Sequence, residues 1–123
     1  MTAIRDVDRA EIEPFMAAAK REGLVFNHHT EFYGYFVDGT LAGFAGMMYY
    51  RSKVVLQSDY VLPQYRKRGI YTELIRYRLV IARKRGYRCV EINCLPASEG
   101  ANLRLGAKVT KVYKICKTLV YAL

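Results

Sequence analysis

Between Lys53 and Cys94 the hydrophobic pattern changes period twice. Lys53 to Leu62 reads as a strand, which Pro63 ends by removing a ladder donor. From Gly69 to Arg85 apolar residues recur at helical spacing. Ile70, Leu74, Tyr77 and Ile81 form the stripe, and Ile75, Leu79 and Ala82 widen it. Gly86 stops that helix, and Arg88 to Cys94 returns to a strand pattern. A strand–helix–strand unit of this kind closes as a right-handed crossover, which makes its two strands parallel neighbours.

The flanking sequence supplies the rest of a sheet. A helix is expected from Arg9 to Glu22, with Asp8 as N-cap, Glu11 completing a capping box and Gly23 as the stop. Pro14 lies inside it and predicts a kink or a two-piece helix. Residues 24–31, around Asn27-His28-His29-Thr30, read as irregular. Strands from Glu31 to Val37 and from Leu41 to Tyr50 flank Asp38-Gly39, a strong hairpin turn. The apolar and small residues of the second strand predict burial on both faces. After Cys94 a short helix is expected from Ser98 to Leu105, stopped by Gly106, and then one long strand from Val109 to Tyr121. This order predicts an α/β fold: a mixed sheet with helices on both faces, in a single domain over residues 1–123.

Composition narrows the classes. A chain of 123 residues fits one domain, and 52% hydrophobic with 13% aromatic content supports a core and argues against disorder. No apolar run is long enough to cross a membrane as a helix. Met1-Thr2-Ala3-Ile4-Arg5-Asp6 carries no apolar signal region, so a cytoplasmic location is expected. Cys89, Cys94 and Cys116 are odd in number and form no C-x-x-C, which favours free thiols over disulfides or zinc; each reads as a small core residue. His28-His29 lacks a third ligand at helical or strand spacing, so no metal site is expected. The net charge of +9 points to polyanionic partners: nucleic acid, a phosphorylated cofactor or an anionic membrane surface.

The chemistry concentrates in Val61-Leu62-Pro63-Gln64-Tyr65-Arg66-Lys67-Arg68-Gly69-Ile70-Tyr71-Thr72. A strand ends, the chain turns, and a helix begins with free N–H groups whose dipole favours an anion. Gly69 allows close backbone approach, and Arg66, Lys67 and Arg68 add positive charge. Neither G-x-x-x-x-G-K-[ST] nor G-x-G-x-x-G is present.

Val61-x-Pro63-x-Tyr65-Arg66-x-x-Gly69-Ile70 resembles the acetyl-CoA motif of the GNAT N-acetyltransferase superfamily, Arg/Gln-x-x-Gly-x-Gly/Ala. It matches at Arg66 and Gly69 and departs at Tyr71. Leu105-Gly106-Ala107-Lys108 resembles the family's Leu-Gly-Phe-Lys, and Lys111-Val112-Tyr113-Lys114-Ile115 with Lys117 resembles the ending of some members. The resemblance implies a GNAT-like acyl-CoA N-acyltransferase fold and acetyl-CoA as cosubstrate. It implies a coenzyme site of Tyr60, Val61, Leu62, Arg66, Lys67, Arg68, Gly69, Ile70, Tyr71, Thr72 and Asn102. The pantetheine arm would lie along the backbone near Tyr60, Val61 and Leu62, between parallel strands that splay apart. An amine on a small molecule, peptide or protein would attack directly, with no acyl-enzyme.

Proton transfer has several candidates. Asp59, Glu31, His28 or His29 could serve a base, and Asp59 equally reads as the partner of an arginine. The family tyrosine that protonates the leaving thiolate is replaced by Asn102; either a nearby tyrosine such as Tyr113 substitutes, or the thiolate leaves unaided. A rival reading is a nucleic-acid-directed protein on the same fold, including a base-modifying acyltransferase of the kind some bacteriophages carry. It draws on the charge and on Arg76, Arg78, Arg83, Lys84 and Arg85 of the long helix. Monomer and homodimer both remain open.

Overall fold

One seven-stranded sheet carries the molecule, with its single parallel pair near the centre. The structure is a computed structural model and describes residues 1–123. In chain order the elements are β1 (Thr2–Val7), α1 (Arg9–Arg21), β2 (Glu31–Val37), β3 (Thr40–Tyr49), β4 (Val54–Val61), α2 (Ile70–Lys84), β5 (Cys89–Cys94), α3 (Pro96–Arg104), β6 (Lys108–Val112) and β7 (Lys117–Ala122). Pro63–Tyr65 forms a 3-10 turn between β4 and α2. The sheet order is β1-β2-β3-β4-β5-β7-β6, and only β4 and β5 run parallel. The mixed sheet, the crossover and the helices on both faces are as expected from the sequence.

The two faces follow from strand alternation. On β2, Phe32 points to the side of α1, where it packs with Ile12, Met16, Phe44 and Tyr60. Tyr33 points to the side of α2 and α3, meets the Tyr77 ring edge-on and belongs to the core that includes Ile75, Ala82, Ile92 and Leu119. Seven successive residues of β3, Leu41 to Met47, are buried, because both faces of this strand are covered.

A bulge on β4 sets up everything that follows. Gly46 pairs with Gln57 and Phe44 with Tyr60, so β4 holds one residue more than β3 over this stretch. Ser58 takes a left-handed φ of 60° there. An extra residue reverses the in–out alternation and bends the strand. Leu56 accordingly belongs to the α2 face, while Tyr60 and Leu62 belong to the α1 face. The bend also carries β4 away from β5, and the two pair only at Val54–Val90, Val55–Glu91 and Leu56–Ile92.

Several expectations are corrected. An N-terminal edge strand, β1, precedes the first helix and pairs with β2 from Thr2–Val37 to Val7–Phe32. The α1 helix is continuous through Pro14, because Pro14 is on the exposed side, where water can bond the carbonyl it frees. The capping box holds: the Asp8 N–H donates to the Glu11 carboxylate at 2.9 Å. Pro96, not Ser98, starts α3, in the first-turn position that needs no donor. The last strand is two strands, β6 and β7, joined by a hairpin in which the Tyr113 N–H donates to the Cys116 carbonyl at 2.8 Å. All three thiols are free, but only Cys94 is buried; Cys89 and Cys116 are half-buried.

Candidate active site

The loop from Arg66 to Gly69 is shaped by two left-handed residues, Lys67 at φ 64° and Gly69 at φ 81°. Glycine meets that requirement without strain at the position that opens α2. The backbone N–H groups of residues 67 to 72 find no acceptor on the protein, and the first helical bond is from Glu73 to the Gly69 carbonyl at 3.1 Å. A Cβ built on Gly69 would meet nothing within 4 Å, so glycine is needed there for its φ and not for space. Free donors at a helix N-terminus bind phosphate-type anions.

The three basic residues divide their roles. Arg66 is held on three sides. Its Nη2 meets both Glu22 carboxylate oxygens at 2.8 Å, its Nε donates to the Val61 carbonyl at 2.8 Å, and it stacks over the Tyr60 ring. It clamps the loop to the end of α1 and occupies the backbone carbonyl expected to be free for pantetheine. Lys67 makes no ion pair and is exposed, and Arg68 lies over the Tyr65 ring.

In front of the loop lies a cavity of about 630 Å³, lined by Tyr60, Val61, Gly69, Thr72, Ala97 and Arg104 among others. A second, of about 620 Å³, lies behind it and is lined by Val25, Gln57, Asn93 and Cys116 among others. Glu22, Leu24, Asp59, Tyr71, Leu95 and Ser98 line both, so the two meet where β4 leaves β5. The lining also includes Arg66, Lys67 and Ile70. Arg104, Ser98 and Leu95 were not anticipated from the sequence. Their signal was the predicted helix after Cys94, which had to cap the gap between the diverging strands.

Asp59 sits at that junction but is not a free base. The bulge turns it to the α2 side, where both carboxylate oxygens meet Arg78 at 2.7 Å. The Arg78 side chain is 0% exposed, and also donates to the Gly46 carbonyl at 2.8 Å and the Leu74 carbonyl at 3.0 Å. Burial pushes the Asp59 carboxyl above the ordinary carboxylate range, and the adjoining guanidinium opposes that rise. Arg78 is therefore a core residue, not part of a basic helix exterior. Arg76 pairs with Glu73 and Arg85 with Glu31, so the arginines of α2 form no single free face.

The two departures from the acetyl-CoA pattern touch each other. The Asn102 side chain is fully buried, and its Nδ2 donates to the Tyr71 hydroxyl at 3.0 Å and to the Ser98 carbonyl at 2.9 Å. Its Oδ1 accepts the Tyr121 hydroxyl. Burial, with the Asp59 charge next, raises the Tyr71 phenol well above its ordinary value.

The remaining candidates lie elsewhere. Glu31 accepts from Tyr33 at 2.7 Å and from Arg85 at 3.0 Å, in a separate pocket at the other end of α2 from Gly69. His28 and His29 are exposed in the α1–β2 loop, outside the groove. Tyr113 is exposed on the β6–β7 hairpin and lines neither cavity. The Leu62 side chain is buried and its N–H donates to the Ala42 carbonyl at 2.9 Å, so it offers no edge to a ligand. Asn102 and Arg68 also stand outside the lining. No group of three or more His, Cys, Asp or Glu stands ready for a metal ion, and no helix is long and apolar enough to cross a membrane.

A strand edge diverging from its parallel neighbour, an amide-lined loop and a cavity running through the gap define the acyl-CoA transferase type of site. The sequence profile of the Acetyltransferase (GNAT) family matches residues 2–105, and the chain belongs to that family. Among solved structures it is similar to the PaiA N-acetyltransferase from Thermoplasma acidophilum in complex with coenzyme A, at 16% identity and a TM-score of 0.84, covering 100% of this chain and 99% of that one. It is similar to the ribosomal-protein-S18-alanine N-acetyltransferase from Escherichia coli, at 14% identity and a TM-score of 0.81, covering 100% and 93%. It also resembles N-acetylglutamate synthase from Neisseria gonorrhoeae complexed with coenzyme A and L-arginine, at 19% identity and a TM-score of 0.82, covering 99% of this chain and 33% of that one. No curated protein matches the sequence.

Proposed function

We propose that the protein is an acetyl-CoA-dependent N-acetyltransferase acting on a primary amine of a small molecule, peptide or protein. The observation that carries this reading is the row of unbonded amides from residue 67 to 72, opening onto a cavity that continues through the gap between β4 and β5. The diphosphate of the coenzyme would accept from those amides, with Lys67 adding charge and Arg66 holding the loop in shape. Pantetheine would run past Tyr60, Val61 and Ile70, and the thioester would lie at the junction beside Tyr71. The acceptor would enter through the second cavity, past Val25, Gln57 and Asn93.

The amine then attacks the thioester carbonyl directly, and the site contributes chiefly proximity and orientation. Isothermal titration with acetyl-CoA and with coenzyme A tests the reading. Saturable binding of both in the micromolar range is expected, and no binding of either at millimolar concentration would remove it.

A further inference from the structure

We propose that the Tyr71 hydroxyl is the catalytic group that hands a proton to the departing sulfur. The inference rests on the acetyltransferase reading and adds a residue to it.

Three hydrogen bonds fix the direction of the Tyr71 proton. The Ser98 carbonyl can only accept, so the Asn102 atom 2.9 Å from it is the amide nitrogen. The Tyr121 hydroxyl meets the other side of the same amide, at Oδ1, which agrees with that orientation. The group that Asn102 turns toward Tyr71 is therefore an N–H, and at 3.0 Å the phenol oxygen is the acceptor. The phenol's own proton makes no hydrogen bond to the protein: the one bond at the Tyr71 hydroxyl is the one it accepts from Asn102. Tyr71 lines both cavities, so that proton is available where they join. Burial keeps the phenol protonated at neutral pH, so it meets the gap as a hydrogen-bond donor and not as a base.

The transfer balances as follows. The amine nitrogen forms the new N–C bond, the C–S bond breaks, and sulfur leaves with the electron pair. The sulfur takes the Tyr71 proton, the amine gives its surplus proton to water, and the tyrosinate recovers one from water. Acetyl-CoA and amine become amide and coenzyme A thiol.

The test needs no knowledge of the acceptor. Coenzyme A and desulfo-coenzyme A, which carries hydrogen in place of the thiol, are titrated into the wild type and Tyr71→Phe at about pH 10, above the ordinary cysteine range, where an alkyl thiol is substantially ionised. A hydrogen bond to a charged sulfur makes the wild type prefer coenzyme A by about tenfold. Tyr71→Phe should abolish that preference and leave desulfo-coenzyme A affinity unchanged. If the phenylalanine variant does not fold, Tyr71→Ala makes the same comparison of ratios. An undiminished preference in the variant would overturn the role of Tyr71 while leaving coenzyme binding intact. A wild type that binds both ligands equally would also overturn it. Failure of the wild type to bind either ligand would remove the acetyltransferase reading and this one with it.

Discussion

Arg78→Met isolates what holds the centre of the molecule. The substitution keeps most of the side-chain length but deletes a guanidinium that makes four hydrogen bonds, to Asp59 twice, Gly46 and Leu74. It leaves the Asp59 carboxylate, 12% exposed, without a counterion. Breaking such a pair costs about 3–5 kcal/mol, a large part of the roughly 5–15 kcal/mol that holds a domain folded. Urea unfolding followed by circular dichroism reads this directly. Asp59→Leu in the Arg78→Met background removes the stranded charge, so the double variant should recover to within about 2 kcal/mol of the wild type. The pH dependence follows from the same geometry. In Arg78→Met the carboxyl keeps the burial that raises it and loses the cation that opposed the rise. The folded variant then holds a proton that the unfolded chain releases, so its stability rises as pH falls from neutrality toward the ordinary carboxylate range. The double variant should lack that acid rescue. Losses that simply add in the double variant, with no acid rescue in Arg78→Met, would refute the reasoning.

Two further outcomes follow from the bulge and the loop. Gly46→Ala places a Cβ 2.5 Å from Thr30 Cγ2 and 2.7 Å from the Gln57 carbonyl, a backbone atom of the bulge that cannot swing aside; it should destabilise by about 1–3 kcal/mol, read as a lower urea midpoint at unchanged slope. Lys67→Ala combined with Arg68→Ala should leave stability within about 0.5 kcal/mol, while coenzyme A binding weakens and loses much of its salt dependence in titrations at low and high ionic strength.

Local rules made the crossover, the Asp38-Gly39 hairpin and the amide loop legible in the sequence, because each depends on residues close together in the chain. What escaped depended on distant partners. The β1 strand carries Arg5 and Asp6 and is mostly exposed, so it has no apolar run, and only β2 makes it a strand. The β6–β7 hairpin turns through Tyr113-Lys114-Ile115-Cys116, with none of the usual turn residues. An arginine at position 78 suggests a solvent-facing side chain, yet it is four residues from both Leu74 and Ala82, on the buried stripe of α2. Its partner Asp59, in turn, is aimed by a one-residue insertion that no hydrophobic period announces. The amide loop could be read because it needs only its own backbone. The surroundings of Tyr71 could not, since Asn102 and Tyr121 reach it from two other elements.

The three rungs between β4 and β5 have a mechanical consequence. The sheet has its fewest rungs along its own midline, where side chains of α2 pack across the seam. A molecule lying along the open edges would act as a keystone, supplying strand-like bonds where the polypeptide has none. Stiffness would then rise with occupancy, and hydrogen exchange along Asp59–Val61 and Asn93–Leu95 would slow when the gap is filled.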